Sequence, residues 1–286
     1  MGVGVEDVSI MQGGSRSTSL VALRSCDLCG VGCLHGYHPS ATGEDVTRHA
    51  WREAVETASA DPSLSILMGA AFGSVFCEAL GVPGFRVHVH GRPGTGRTLA
   101  IRAAVASAGD PEAVVRPSTP ENAAHRIRSI TPLPVAFDDP DGATEEVIEG
   151  KLRDGIPGVV LTTGTDLRPG AVNLGAPLGG SRGALLLLHL LVVGHHGWPV
   201  SWIEDSPIAG ELRTWFSVAR DLLLSRTPVS REQAVQLALA SVGFGAIGRL
   251  AGRGFAFYAG MGAAQRIAAG GLTNASSASR PVLRLV

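Results

Sequence analysis

Phe85-Arg86-Val87-His88-Val89-His90-Gly91-Arg92-Pro93-Gly94-Thr95-Gly96-Arg97-Thr98 carries the most specific pattern in the chain. Its first six residues alternate apolar and polar, the period of a β-strand. Its last eight follow G-x-x-x-x-G-K-[ST] except at Arg97, which stands where the pattern has lysine. Leu99 to Ala108 then resumes helical spacing. Strand, glycine-rich turn and helix in this order make an anion cradle. Glycines let the backbone turn with its N–H groups aimed inward. The start of the helix points further N–H groups at the same place. The pattern predicts phosphate contacts from Gly91, Gly94, Thr95, Gly96, Arg97 and Thr98, with the Thr98 hydroxyl on Mg²⁺. The competing reading is a plain turn in a chain of 38 glycines; the flanking strand and helix weigh against it.

Arg97 sets a limit on this reading. Lysine is a compact point charge, whereas arginine is longer and forked, so the exchange is not conservative. A charge-assisted contact is worth about 1.5–3 kcal/mol. Misplacing it preserves binding through backbone N–H groups and slows hydrolysis. Lys151 is the only lysine in the sequence, so compositional bias also accounts for the exchange without any functional cause.

Outward from the loop the punctuation is regular. Asp61-Pro62 starts a helix running to about Leu80 and stopping at Gly81, since Asp caps free N–H groups and Pro suits the first helical position. Thr119-Pro120 starts a second, ending near Ile130. Leu133 to Phe137 is a short strand ending in Asp138-Asp139, Glu145 to Arg153 a helix, and Val159 to Leu161 a strand ending in Thr162-Thr163-Gly164-Thr165. Leu185 to Val193 is a further strand candidate. Alternating strands and helices predict an α/β layered sheet with mostly parallel strands. Ligands in such sheets bind beyond the carboxyl ends of the strands, where all the motif residues fall.

The chain divides into three regions. Residues 1–47 are rich in Gly, Ser and Cys, 48–196 hold the alternating core, and 197–286 read as mainly helical and basic with a frayed tail. In the last region Ser206-Pro207 starts a helix reaching about Ser225. Ser230 and Gln233 have capping-box spacing. Residues 243–260, GFGAIGRLAGRGFAFYAG, hold too many glycines for a helix to be assigned.

A phosphate loop with Mg²⁺ needs a carboxylate for the metal shell and a group that orients the attacking water. Asp138 fits the first role and Asp139 the second, against an exposed acidic turn around Pro140. Among Thr162, Thr163 and Thr165 a polar residue at the strand end, with Thr163 the candidate, fits γ-phosphate sensing or holding water, against a solvated strand end. Arg182 could approach a phosphate in cis or from a neighbouring subunit, against an ordinary surface arginine.

These residues, in this order, resemble the domain-of-unknown-function 927 family, a P-loop ATPase group of phages and mobile elements described as helicase-like. The likeness begins at Trp51 and runs through the phosphate loop, "STPENAAHRI", "LPVAFDDPDG", "KLRDGIPG", "VVLTTGTD" and "GGSRGALLLL", to about Leu188. It implies a P-loop NTPase fold (RecA/AAA-like) and an ATPase using ATP and Mg²⁺ in DNA metabolism. It places Gly91, Gly96 and Thr98 on phosphate and metal, Asp138 and Asp139 as the acidic pair, and Arg182 as the late arginine. The departures are Arg97 for lysine, Asp139 for glutamate, and a shorter portion ahead of Trp51 than the family has. They leave a second reading open: a catalytically degenerate nucleotide-binding or scaffold module.

Cys26, Cys29, Cys33, His35 and His38 supply five candidate ligands for Zn²⁺ in one short segment. Zinc favours four such ligands, but the spacing matches no standard finger, and reduced thiols are the competing reading. At 286 residues, with 45% hydrophobic and 17% charged residues, the chain builds a sizeable core. The net charge of -1 excludes a uniformly basic protein. From Ser206 onward, however, nine arginines face three acids, interleaved with Trp215, Phe216, Phe255, Phe257 and Tyr258. Such interleaving suits single-stranded or duplex DNA, against ordinary packing of the stripe Leu212, Trp215, Ala219 and Leu222. The start has no secretory pattern, and the run Ala184 to Val193 is too short to span a bilayer. We therefore expect a cytoplasmic, helicase-like ATPase with nucleotide and DNA as partners, no membrane, and a homo-oligomeric ring.

Overall fold

The computed structural model describes residues 44–108, 119–176 and 208–270. The Cys/His segment, the strand expected at 185–193, Arg182 and the tail lie outside these residues.

Helix α1 (Glu44–Ala58) carries the fully buried Trp51. Helix α2 (Pro62–Gly73) opens as expected: the Asp61 carboxylate accepts from the Leu64 N–H at 3.0 Å. The helical run tightens through Ser74–Phe76, continues as α3 (Cys77–Leu80), and ends on Gly81 in a left-handed conformation, φ 63°. It is apolar enough to cross a bilayer, but 78% of its most apolar window is buried in this fold.

Strand β1 (Phe85–His90) leads through the glycine-rich turn into α4 (Arg97–Val105). Then come α5 (Pro120–Ile130), β2 (Val135–Phe137), α6 (Gly142–Arg153), β3 (Val159–Gly164) and β4 (Val172–Gly175). The sheet order is β2-β3-β1-β4 and every pairing is parallel. Four parallel strands place their carboxyl ends along one edge. Because β3 lies between β1 and β2, its last residues stand between the glycine-rich turn after β1 and Asp138-Asp139. Ser74 ties the helical layer to the opposite end of the sheet: its hydroxyl donates to the Pro132 carbonyl at 2.6 Å and accepts from the Val159 N–H at 2.8 Å.

Strand β4 was not anticipated. Its apolar signal is only Val172 and Leu174 around Asn173, directly after the Pro169-Gly170 turn. Pairing with β1, from Val87 opposite Val172 to His90 opposite Gly175, supplies what the sequence signal lacks.

The C-terminal helices are α7 (Ile208–Arg226), α8 (Arg231–Leu250) and α9 (Ala256–Ala269). Ser230 and Gln233 form the expected capping box. Residues 243–260, left unassigned by the sequence, carry the end of α8 and the start of α9. Their glycines are points of close approach. A Cβ on Gly243 would lie 2.0 Å from the Gly69 carbonyl oxygen of α2, and one on Gly248 2.0 Å from the Ala256 Cβ of α9. The propensity cost of glycine, about 1 kcal/mol each, is offset by packing that only glycine permits. One buried cluster runs from Trp51 through the sheet to Ala268.

Candidate functional site

The site forms where β1 ends. The Gly91 N–H donates to the Gly164 carbonyl at 3.1 Å, extending the β1–β3 pairing by one residue. Gly91 has little room, since a Cβ there would lie 2.8 Å from the Thr95 hydroxyl. That hydroxyl donates to the Arg92 carbonyl at 2.7 Å and closes the turn. Gly94 and Gly96 adopt left-handed conformations, φ 81° and 84°, which residues with a Cβ rarely hold. No side chain caps the start of α4, so its first N–H groups have no side-chain acceptor at the cap.

The acidic pair sits at the end of β2. Asp138 is buried, 7% exposed, and Asp139 is exposed. The Thr98 hydroxyl donates to Asp138 Oδ1 at 2.8 Å. The Thr163 hydroxyl donates to the same oxygen at 2.7 Å and accepts from the Asp139 N–H at 2.8 Å. Thr163 thus links the buried carboxylate to the backbone of the exposed one. Asp139 holds a left-handed conformation, φ 51°, tolerated by Asp better than by most residues.

The structure therefore brings together Gly91, Gly94, Thr95, Gly96, Arg97, Thr98, Asp138, Asp139 and Thr163. The Arg97 Nη1 is buried without a hydrogen-bond partner among the described residues, a cationic group at the glycine-rich turn. Among the described residues Thr165 bonds to the neighbouring Asp166 carboxylate, at 3.1 Å on the exposed side, as a solvated turn would. Among the described residues no three His, Cys, Asp or Glu side chains cluster as a metal site.

Sequence reasoning missed the polar face of β1. Arg86, His88 and His90 alternate with Phe85, Val87 and Val89, a pattern that reads as a solvent face. In the fold both faces are covered. Arg86, 3% exposed, pairs with Glu145 at 2.6 Å and Glu149 at 3.4 Å from α6, and Arg168 approaches Glu145 at 3.4 Å. His88 is fully buried. Its Nε2 must donate to the Asp166 carbonyl at 2.9 Å, which leaves Nδ1 to accept from the Thr162 hydroxyl at 2.8 Å. Burial pushes its pKa down to about 4; the Asp166 carbonyl opposes this, and the nearby Arg168, Arg86 and His90 add to it. His88 therefore pins the turn that follows Thr163 in its neutral form. Gly164 is needed there, because a Cβ would meet the imidazole at 2.9 Å.

A stability test follows from this histidine. A pKa held below the unfolded value favours the neutral form, so stability is full above about pH 6.5 and falls as pH drops toward 4. The slope is about 1.4 kcal/mol per pH unit within that window. In urea titrations, the difference between wild type and His88→Gln should therefore change between pH 7 and pH 5, favouring the wild type less at pH 5. A pH-independent difference would refute it.

No family model and no curated protein matches this chain. A solved structure described as "SCCmec type IV Cch - active helicase" does match, with TM-score 0.56 at 14% identity over 76% of this chain. The fold is that of a P-loop NTPase. The matched part is 49% of the helicase chain, so the present chain spans about half its length. At this identity the likeness speaks for the helicase-like fold alone.

Proposed function

We propose that the chain binds ATP with Mg²⁺ at the phosphate loop and hydrolyses it as a helicase-like ATPase. Its setting is DNA metabolism of a phage or mobile element, as its resemblance to the domain-of-unknown-function 927 family implies. The observation that carries the reading is the shared acceptor: Thr98 and Thr163 both donate to Asp138 Oδ1, at 2.8 and 2.7 Å. A helix-start hydroxyl and a carboxylate are hard oxygen donors of the kind Mg²⁺ takes. Bound Mg²⁺ neutralises charge between the outer phosphates. Backbone N–H groups from Gly94 to Thr98 hold the phosphates, and the unpartnered Arg97 Nη1 meets a phosphate oxygen. The exposed Asp139 carboxylate orients water, with its backbone fixed by Thr163. Arg182, acting across a subunit boundary in a ring, belongs to the same reading.

The test is titration calorimetry of ATP with Mg²⁺ on the intact protein. Micromolar binding is expected, followed by hydrolysis that DNA stimulates. No heat and no competition by ADP would sink the proposal.

A second reading is favoured by Arg97 in the lysine position and by the short arm of Asp139: a catalytically degenerate nucleotide-binding or scaffold module. It keeps the calorimetric signal, shows no DNA-stimulated turnover, and gains little from Arg97→Lys. Substantial turnover in the Arg97→Lys protein alone would trace the defect to that one side chain.

A further inference from the structure

We infer that the start of α9, braced by α7, is a stacking platform for single-stranded nucleic acid. Three aromatic residues open this helix. Phe257 faces inward: its ring packs on Trp215 of α7 with centroids 5.3 Å apart, and its Cβ occupies the room left by Gly245 of α8. That packing fixes the helix start. Phe255 and Tyr258 stand three residues apart and so share a helix face. They are 43% and 77% exposed. Phe257 supports Tyr258 edge-on at 5.8 Å, which leaves the tyrosine ring open to solvent.

Guanidinium groups flank the rings. Arg253 lies 5.9 Å from the centre of Phe255 and pairs with Glu56 of α1. Arg266 is two turns beyond Tyr258, with Gly262 between them. Its Nη1 comes within 3.5 Å of the place a Cβ on Gly262 would take, so the side chain folds back along the helix toward Tyr258. Residues 208–270 carry seven arginines against three acids, in a chain whose net charge is -1.

Rings flanked by arginines match a polyanion that also offers flat faces. Bases of a single strand can stack on exposed aromatics while arginines meet the phosphates. Duplex bases are already stacked on one another and are unavailable without flipping. An apolar protein partner would offer Arg266 no counter-charge, and it is the less suitable occupant.

The far end of α9 reaches the carboxyl ends of β1 and β4. Ile267 and Gly270 line a cleft with His90 and Gly175, the last residues of β1 and β4. The 14 residues of α9 span about 21 Å. One helix therefore joins the platform to the end of the strand that leads into the glycine-rich loop. Only this coupling rests on the ATPase reading; strand binding itself needs no nucleotide.

The test is fluorescence anisotropy of a short labelled oligothymidylate with the full chain, without nucleotide, across a salt series. Tyr258→Ala and Phe255→Ala should each weaken binding roughly tenfold with the salt slope unchanged. Tyr258→Phe should bind like the wild type. Arg266→Ala should reduce the slope of log K against log salt by about 0.7. Wild-type affinity in both alanine variants, or no binding by the wild type at low salt, would overturn the proposal. So would a Tyr258→Phe protein as weak as Tyr258→Ala. Calorimetry with ATP and Mg²⁺ on Tyr258→Ala keeps the two readings apart. Unchanged ATP heat with weakened strand binding supports the platform, and a wild type that binds the strand but not ATP refutes only the ATPase.

Discussion

Asp138→Asn is expected to lower Mg²⁺-dependent ATP hydrolysis by about a hundredfold or more while leaving the protein folded. Two hydroxyls, from Thr98 and Thr163, converge on Asp138 Oδ1. Hydrogen bonds to a charged group are worth about 1.5–3 kcal/mol each, and each 1.36 kcal/mol lost from transition-state stabilisation is tenfold in rate. Asparagine keeps the shape and one acceptor oxygen, so both hydroxyls can stay bonded, but the negative charge is gone. The expected loss is therefore electrostatic. It should appear as slower phosphate release and as weaker dependence of nucleotide affinity on Mg²⁺. The second readout matters if the wild type binds without turnover. A variant with wild-type rate and wild-type Mg²⁺ dependence would remove Asp138 from the site.

The second large effect concerns one substitution made at two glycines with opposite expected signs. Gly243→Ala should destabilise the protein by about 2 kcal/mol, whereas Gly150→Ala should stabilise it by about 0.8 kcal/mol. Both residues lie within helices, where alanine is better than glycine by about 0.8–1.0 kcal/mol. At Gly150 nothing lies within 4 Å of the added Cβ, so that gain stands alone. At Gly243 the Cβ would sit 2.0 Å from the Gly69 carbonyl oxygen and 2.6 Å from the Gly73 nitrogen. These are backbone atoms of α2, and only moving one helix away from the other relieves the contact. Overpacking of this kind costs about 1–3 kcal/mol and occasionally more. Urea unfolding with matched slopes measures both changes. A stabilised Gly243→Ala protein would mean that α2 and α8 do not cross this closely.

Local signals in the chain were read where one residue's chemistry suffices. Asp61-Pro62 and Thr119-Pro120 start helices because a side-chain oxygen and a fixed φ act on the adjacent backbone alone. Gly94 and Gly96 take left-handed conformations because the turn into α4 requires them. The positions of Thr98, Asp138, Asp139 and Thr163 were legible as strand ends and helix starts. Their mutual hydrogen bonds were not, since they join residues 24 to 40 apart in sequence.

His88 shows how a local rule misleads. Alternation along β1 describes the strand correctly but assigns its polar face to solvent. Whether that face is wet depends on α6 and on the turn after β3, which arrive from elsewhere in the chain. Once covered, the polar groups must pair internally, and Arg86 with Glu145, and His88 with Thr162 and Asp166, do so. Residues 243–260 fail in the opposite direction. Glycine lowers helix propensity by an amount the sequence shows, while the packing that compensates depends on a neighbour it does not show.

The sequence by itself determined the glycine-rich turn between strand and helix, the alternation of strand and helix, and the residue types that converge at the strand ends, because each rests on short-range backbone geometry and periodicity. Tertiary structure alone decided that β3 lies between β1 and β2, that one Asp138 oxygen serves two threonines, and that glycines hold α2 against α8. Those outcomes depend on which surfaces meet, and contacts between distant segments leave no period in the chain.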